Sequence, residues 1–244
     1  KRFQAEGPLY VFADTSIFSE APYRLTASGI SQVLGRYICL ADWRISHLVT
    51  REYLCEEICG MEYRAVKDVV KRLDDIREKD EDACERLMYA LLLTGLATQM
   101  TGSLRPAACA EHQMAWLWEL EVINGSTDAM YGEKIGAAAL ILEEYYSRFR
   151  EAIEDGRCRV IPYEKIDPSY FREKFGLKGL YETILRENTP DPLLEVEEQK
   201  LCRVLPEIAE ILEDIPSGEK LKDMMEEGGC RQTIGQVSLS GQMV

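Results

Sequence analysis

The amino-acid sequence predicts a mostly α-helical domain, folded as an irregular bundle rather than as a four-helix bundle with short loops. Apolar residues recur every three or four positions along most of the chain, and only one segment has the composition of a β-strand. No internal repeat and no low-complexity linker marks a domain boundary. Because 46% of the 244 residues are hydrophobic, the chain can bury a large core, which excludes wholesale disorder.

The predicted strand covers Gly7–Asp14, with the sequence GPLYVFAD. A short β-branched and aromatic run between Gly-Pro and Asp is typical of a buried strand with a turn on each side. A lone strand is not stable in isolation. We therefore expect this strand to pair either with an unidentified partner or with a sheet that is missing from this chain.

The remaining predicted elements are helices. In chain order they are Leu25–Val49, Glu62–Lys79, Asp80–Gln99, Pro106–Glu121, Ala129–Glu154, Pro168–Phe175, Leu177–Glu187, Leu194–Glu213 and Gly218–Glu227. The helix at Asp80–Gln99 begins with acidic residues, which suit the positive end of the helix dipole, and then becomes almost wholly apolar. Such a helix should be central in the bundle. Pro106 suits the first turn of the helix that follows.

Charge and cysteine content exclude several functions. The chain carries 43 acidic and 29 basic residues, a net charge of −14, so it repels nucleic-acid backbones and anionic lipid. Its eight cysteines form no CxxC pair, which is typical of reduced thiols in a cytoplasmic protein. The longest apolar run, residues 87–100, is too short to span a bilayer, and no signal peptide opens the chain. Because the sequence starts with lysine, it is a candidate piece of a longer protein.

The segment Thr101–Trp118 contains the residues best suited to chemistry. A loop of small residues, including Ser103, leads to Arg105 and a predicted helix start, whose free amides could hold an anion together with this arginine. The alternative is an ordinary helix start whose Arg105 pairs with a carboxylate. His112 lies one or two turns further on, either as a packed, hydrogen-bonded imidazole or as a metal ligand.

Three stretches in this order resemble the sn-glycerol-1-phosphate dehydrogenase family, within the iron-containing alcohol dehydrogenase and dehydroquinate synthase-like superfamily. They read FADTSIFSEAPYRLTASGISQVLGRYICLADWRISH, GLATQMTGSLRPAACAEHQMAWLWELE and AMYGEKIGAAALIL. The resemblance runs from about Gly7 to Leu142 and is looser from Ile215 to Gly235.

The resemblance implies the helical C-terminal half of a two-domain dehydrogenase. In such enzymes an N-terminal α/β domain binds NAD(P), the helical domain holds zinc, iron or nickel, and glycerol 1-phosphate or dihydroxyacetone phosphate binds in the cleft between them. Residues 1–20 would then be the remnant strand and junction of the nucleotide-binding domain, and residues 21–244 the metal- and substrate-binding domain. No GxGxxG loop occurs in the sequence. A homo-oligomer would also fit the resemblance.

The resemblance further implies a degenerate metal site. The family uses one aspartate and two histidines, and here Gln32 takes the place of the aspartate, His112 is retained, and Tyr131 takes the place of the second histidine. A neutral amide is a poor ligand for a divalent cation, and a phenol must lose a proton of pKa about 10 to coordinate well. We therefore expect the metal to be lost and the three side chains to form a neutral polar network. Rescue by Glu111 or Cys109 would require an awkward geometry.

Three functions remain open on this basis, with no catalytic residue assigned. One is an NAD(P)-dependent polyol-phosphate oxidoreductase whose metal is replaced or rescued. Another is a non-catalytic homologue that acts as a binding or assembly subunit. A third is a metal-independent, NAD(P)-linked reaction on another substrate, in which Tyr131 or His112 donates the proton. A helical interaction module without a ligand is the alternative outside the family, and an open cleft along Thr101–His112 would argue against it.

Overall fold

The computed structural model describes residues 7–120, 127–165, 167–176 and 179–237. These residues form helices without a β-strand, which confirms the predicted all-α domain. The helices are α1 (Thr15–Ser19), α2 (Tyr23–Leu34), α3 (Arg36–Thr50), α4 (Glu56–Val70), α5 (Leu73–Arg77), α6 (Glu81–Thr101), α7 (Ala110–Glu119), α8 (Tyr131–Glu154), α9 (Pro168–Phe175), α10 (Tyr181–Glu187), α11 (Glu198–Glu213) and α12 (Gly218–Glu227). A short 3-10 helix at Pro192–Glu195 precedes α11. No helix in the described ranges is long and apolar enough to cross a membrane.

The predicted strand at Gly7–Asp14 is wrong for this chain. The segment has no regular secondary structure, and Leu9 and Phe12 are 92% and 95% exposed. A strand is stabilised by the ladder it forms with a neighbour, and no strand among the described residues offers one. The β-prone composition is present, but without a partner the segment stays irregular and its apolar side chains stay in solvent.

Several predicted helix boundaries also differ from the observed ones. The helix predicted at Leu25–Val49 is divided at Gly35 into α2 and α3. The helix predicted at Glu62–Lys79 begins six residues earlier, at Glu56, and divides into α4 and α5. The helices predicted at Leu177–Glu187 and Leu194–Glu213 begin later, at Tyr181 and at Glu198. Residues 177 and 178 lie outside the described residues.

The helix predicted to start at Pro106 begins instead at Ala110. Residues 102–109 form turns in which the amides of Ala107 and Ala108 both donate to the carbonyl of Leu104 at 2.8 Å. The buried guanidinium of Arg36 donates to the carbonyls of Pro106 and Ala107. These bonds hold the carbonyls that a helix starting at Pro106 would use for its own ladder, so the tertiary contact overrides the local signal.

The long helix α8 packs against α2, α7, α11 and α12, and this arrangement positions the candidate site. Its contact with α2 is unusually close. A Cβ atom at Gly132 would lie 2.2 Å from the backbone oxygen of Ser28, and one at Gly136 would lie 3.1 Å from the Ser31 side chain. Glycine is therefore required at Gly132 for the two helix backbones to meet. Helices α2, α7 and α8 consequently form one tightly packed unit.

A buried ion pair joins α3 to α4 inside the bundle. Arg36 and Glu62 are 6% and 2% exposed, and the Nε atom of Arg36 lies 4.0 Å from a carboxylate oxygen of Glu62. Burial raises the pKa of Glu62 to about 7, although the nearby Arg36 guanidinium acts to lower it. Between about pH 4.5 and pH 7 the folded protein therefore retains a proton at Glu62 that the unfolded chain releases.

Stability is expected to fall as the pH rises from about 4.5 to about 7, because the pKa of Glu62 is higher in the folded state than in the unfolded chain. Glu62→Gln should reduce the difference in the free energy of unfolding between pH 5 and pH 8 by on the order of 1–3 kcal/mol. Urea unfolding at the two pH values measures this difference. Glu57→Gln, an exposed change on the same helix, serves as the control and should leave the dependence unchanged. Equal pH dependence in the Glu62→Gln variant and the wild type would contradict the assignment.

Candidate functional site

The family resemblance points to three metal-ligand positions, and the structure brings two of them into contact. His112 on α7 and Tyr131 at the first turn of α8 pack edge to face, with ring centroids 5.7 Å apart and planes at 62°. The Tyr131 hydroxyl donates to the backbone carbonyl of His112 at 3.3 Å. Both residues are half-buried. The contact between α7 and α8 therefore brings the retained histidine and the substituted position together.

Glu111 orients the imidazole of His112. A carboxylate oxygen of Glu111 lies 2.8 Å from the Nδ1 atom of His112, and Glu111 is fully buried. A carboxylate that accepts from Nδ1–H fixes the tautomer and leaves the Nε2 atom with a free lone pair. The same arrangement serves histidines that bind metals and histidines that accept protons. Glu111 thus acts as an orienting residue rather than as a replacement ligand.

The other candidate ligands lie on neighbouring parts of the same unit. Gln32 is half-buried on α2, one turn after Ser28, which contacts Gly132 on α8. Cys109 is buried immediately before α7, and its thiol donates to the carbonyl of Arg105 at 3.7 Å. Trp116 lies one turn beyond His112 on α7 and is half-buried. The cysteine is therefore engaged on the Arg105 side of the helix.

This donor set does not fit a divalent transition metal. An imidazole, an amide oxygen and a phenol carry no negative charge at neutral pH, whereas zinc and iron sites in proteins combine imidazole with carboxylate or thiolate ligands. Within the described ranges, no group of three or more histidine, cysteine, aspartate or glutamate side chains is arranged to hold a metal ion. The interactions at this point are the packing of His112 on Tyr131 and the Glu111–His112 hydrogen bond.

At the predicted anion site, Arg105 and the first amide of α7 each contact a carboxylate of the protein. Arg105 Nε lies 2.6 Å from a carboxylate oxygen of Glu52, and the hydroxyl of Ser103 accepts from the Arg105 amide at 3.2 Å. The first amide of α7, at Ala110, donates to Asp42 at 3.0 Å. The structure thus has the arginine-carboxylate pair that was the alternative to a free anion site.

Asp42 is a half-buried acid that the sequence analysis did not single out. Its carboxylate accepts from the Tyr146 hydroxyl at 2.6 Å and from the Ala110 amide. Burial raises the pKa of Asp42 to about 6, although both hydrogen bonds oppose the shift. Burial also raises the pKa of Tyr146. The sequence signal for this residue was an aspartate within the otherwise apolar segment ICLADW. Its hydrogen-bond partners, Tyr146 and Ala110, lie far away in the sequence and could not be read from that segment.

Arg105 also lines an open cleft between the C-terminal end of α3 and the start of α11. The cleft has a volume of about 730 Å³. Its charged lining residues are Arg51, Arg105, Lys200, Arg203, Glu52, Glu195 and Glu197. Four of these seven residues are basic and three are acidic, in a chain with a net charge of −14. The Thr101–His112 segment therefore lines an open cleft at Arg105, while Glu111 is buried.

Comparison with curated proteins relates the chain to named dehydrogenases. A protein from Geobacillus thermodenitrificans is 28% identical over 230 residues, covering 94% of this chain and 50% of the relative. One from Geobacillus stearothermophilus is 26% identical over 247 residues, covering 100% of this chain and 54% of the relative. One from Methanothermobacter thermautotrophicus is 30% identical over 175 residues, covering 70% of this chain and 49% of the relative. Each of the three is named glycerol-1-phosphate dehydrogenase [NAD(P)+].

These matches extend over most of the chain and only part of each relative. No family model matches the chain. The chain spans about half the length of the curated relatives it matches. It is therefore related to dehydrogenases that use NAD(P). Within that class, its family resemblance is to the glycerol-1-phosphate dehydrogenases, as the three sequence motifs predict.

Proposed function

We propose that this chain is the helical half of a glycerol-1-phosphate dehydrogenase-like protein and that it binds a phosphorylated polyol without holding a catalytic metal. Residues 21–244 would form this binding domain, and residues 1–20 the junction to the nucleotide-binding part. The observation that carries the proposal is the cleft at Arg105, which four basic and three acidic side chains line in a chain with a net charge of −14. The names of the relatives indicate the class of ligand.

The lining of the cleft suits a ligand that carries both a phosphate and hydroxyl groups. Arg105, Lys200 and Arg203 can donate charge-assisted hydrogen bonds to phosphate oxygens. Glu52 and Glu195 can accept hydrogen bonds from polyol hydroxyls. A bound phosphate would compete with Glu52 for the Arg105 guanidinium, so binding would exchange one ion pair for another. Such an exchange favours a dianionic phosphate over a singly charged anion.

Glycerol 1-phosphate is expected to raise the melting temperature by about 4 °C when its concentration is ten times its Kd. Arg105→Ala should abolish most of this shift, and glycerol alone should produce none. The variant should still fold, because the Arg105–Glu52 pair is solvent-exposed in part and contributes little to stability. Arg148→Ala, which removes an exposed arginine paired with Glu144, is the matched control. An unchanged shift in Arg105→Ala, or none in the wild type, would overturn the proposed site.

The lack of a metal-binding donor set at Gln32, His112 and Tyr131 supports a binding or assembly role for the chain by itself. In the doubly wound α/β fold a dinucleotide binds at a parallel sheet with a glycine-rich turn. NAD(P) binding would then belong to the nucleotide-binding part of the protein, outside this helical half. All eight cysteines are free thiols, which favours a reducing compartment such as the cytoplasm.

A metal-independent reaction is the second candidate, because Glu111 fixes the tautomer of His112. In this function the imidazolium form of His112 would donate its Nε2 proton to the substrate oxygen in the reductive direction and take it back in the oxidative one, with Glu111 stabilising the imidazolium. The two candidates differ in their sensitivity to His112→Gln. This change should leave binding of glycerol 1-phosphate at the Arg105 cleft intact and should abolish any turnover that depends on proton transfer.

A further inference from the structure

An apolar groove opens beside the Arg105 cleft. Its volume is about 670 Å³, which lies within the range of sites for small molecules. Most of the described residues that line it are apolar or aromatic, and they come from four segments: Val49 on α3, residues 160–163, Leu193 with Val196, and Leu201 on α11. Ile161 and Leu193 are 75% and 43% exposed, so the groove is open to solvent. Binding of a polyol phosphate at Arg105 does not account for this apolar surface.

One aspartate connects two walls of the apolar groove. The Asp191 carboxylate accepts from the Tyr163 hydroxyl at 2.6 Å and from the Leu193 amide at 3.0 Å. These bonds join the irregular segment of residues 160–164 to the 3-10 helix at Pro192–Glu195. The protein's own contacts therefore shape the groove before a ligand binds. A preformed site has fewer groups to order on binding, which favours affinity.

The apolar groove and the Arg105 cleft are continuous with each other. Val49 and Val196 line both of them. Lys200 lines the cleft at this border, where its ammonium group donates to the carbonyl of Val49 at 2.8 Å. All the basic residues that line the two sites lie in the cleft, whereas the charged residues of the groove are the exposed Glu164 and Glu198. An anionic group is therefore attracted to the cleft and repelled from the groove.

We propose that the cleft and the groove together bind an amphiphilic phosphate monoester, with its phosphate at Arg105 and its hydrocarbon tail in the groove. Phosphate binding at Arg105 is kept from the proposed function, on which this inference rests. The tail would cover apolar surface that a polyol phosphate alone leaves in contact with water, and each buried methylene group would add to the affinity. The distribution of charge sets the direction of the ligand, because Glu164 and Glu198 oppose a phosphate in the groove.

Isothermal titration calorimetry with ethyl, hexyl and decyl phosphate, each below the concentration at which it forms micelles, measures the contribution of the tail. A fully buried methylene group tightens binding about fourfold, and in a groove that is open on one side we expect about twofold. Decyl phosphate should therefore bind on the order of a hundredfold more tightly than ethyl phosphate, with a more negative heat-capacity change. Equal affinities would overturn the tail subsite, while an Arg105-dependent thermal shift with glycerol 1-phosphate would leave the proposed function standing.

Ile161→Ser should weaken the binding of decyl phosphate about fivefold and leave that of ethyl phosphate unchanged, because Ile161 lines the groove and not the cleft. Ile17→Ser is the matched control, since Ile17 is 72% exposed on α1 and lines neither site. Arg105→Ala should weaken both phosphates by the same factor. Circular dichroism checks that the variants are folded. Losses of equal size in the two isoleucine variants, or no loss in Ile161→Ser, would contradict the position of the tail.

A second measurement separates a dissolved amphiphile from the same chemistry at a bilayer surface. Vesicles of phosphatidylcholine that contain phosphatidic acid present a phosphate monoester on a membrane. The net charge of −14 opposes approach to such an anionic surface, so the protein should stay in solution when the vesicles are sedimented. Sedimentation of the protein with the vesicles, without binding to dissolved decyl phosphate, would overturn the proposal, because the recognised ligand would then be a membrane.

Discussion

The double variant Gln32→Asp, Tyr131→His is expected to bind Zn²⁺ at least about a hundredfold more tightly than the wild type. The two changes would return a carboxylate and an imidazole to the ligand positions that the family resemblance implies, with His112 as the third ligand. Glu111 already holds the imidazole of His112 from its Nδ1 side, so the orienting contact need not be rebuilt. Competition with a chromophoric chelator measures the affinity, and elemental analysis of the purified protein measures the stoichiometry.

Two controls make this experiment specific. Adding His112→Ala to the double variant should cancel the gain, because the imidazole that completes the site is lost. Gln113→Asp, which adds a carboxylate at an exposed neighbouring position of α7, should produce no comparable increase. If a folded double variant binds zinc no more tightly than the wild type, then α2, α7 and α8 do not direct the three side chains to a common point. Tight stoichiometric zinc in the wild type would contradict the proposed loss of the metal.

Gly132→Ala is expected to destabilise the protein by about 3 kcal/mol or more, because the new methyl group would meet the Ser28 carbonyl at 2.2 Å. This atom belongs to the backbone of α2, so the clash is relieved only if α2 and α8 move apart. The separation would loosen the packing of several neighbouring core residues at once. Urea unfolding measures the loss in the free energy of unfolding.

The same substitution at Gly60 is the matched control, and it should have the opposite sign. Gly60 lies within α4, where an added methyl group meets only the end of the flexible Arg64 side chain, at 3.3 Å. Alanine is the better helix former, so Gly60→Ala should stabilise the protein by up to about 1 kcal/mol. Similar effects of the two changes would show that α2 and α8 are not in the close contact described.

Helix periodicity was sufficient to predict the fold class, because it depends only on which residues face the core. The helix start near Pro106 and the conformation of Gly7–Asp14 depend on contacts with distant residues. Helix periodicity carries no information about such contacts. The turn at residues 102–109 depends on Arg36, which lies about seventy residues earlier in the chain. The strand composition of Gly7–Asp14 has no effect without a neighbouring strand.

The candidate site was predictable to the extent that it follows local motifs. The motifs located His112 and Tyr131, and the structure brings these residues into contact. The cleft could not be found in this way, because Arg51, Lys200 and Arg203 belong to no common motif and meet Arg105 only after folding. The pairing of Arg105 with Glu52 has the same origin. Long-range electrostatic partners are chosen by tertiary structure rather than by spacing along the sequence.

Arg36 binds the turn that precedes α7 through main-chain carbonyls only. Every amino acid offers the same carbonyl, so the Arg36 contact does not depend on the side chain at the position it binds. Ala107 is half-buried and can be replaced while this bond is kept, whereas buried Pro106 is also held by its packing. A change at Arg36 itself would remove both hydrogen bonds and release the turn. We therefore infer that, within this contact, Arg36 is the position that tolerates substitution least.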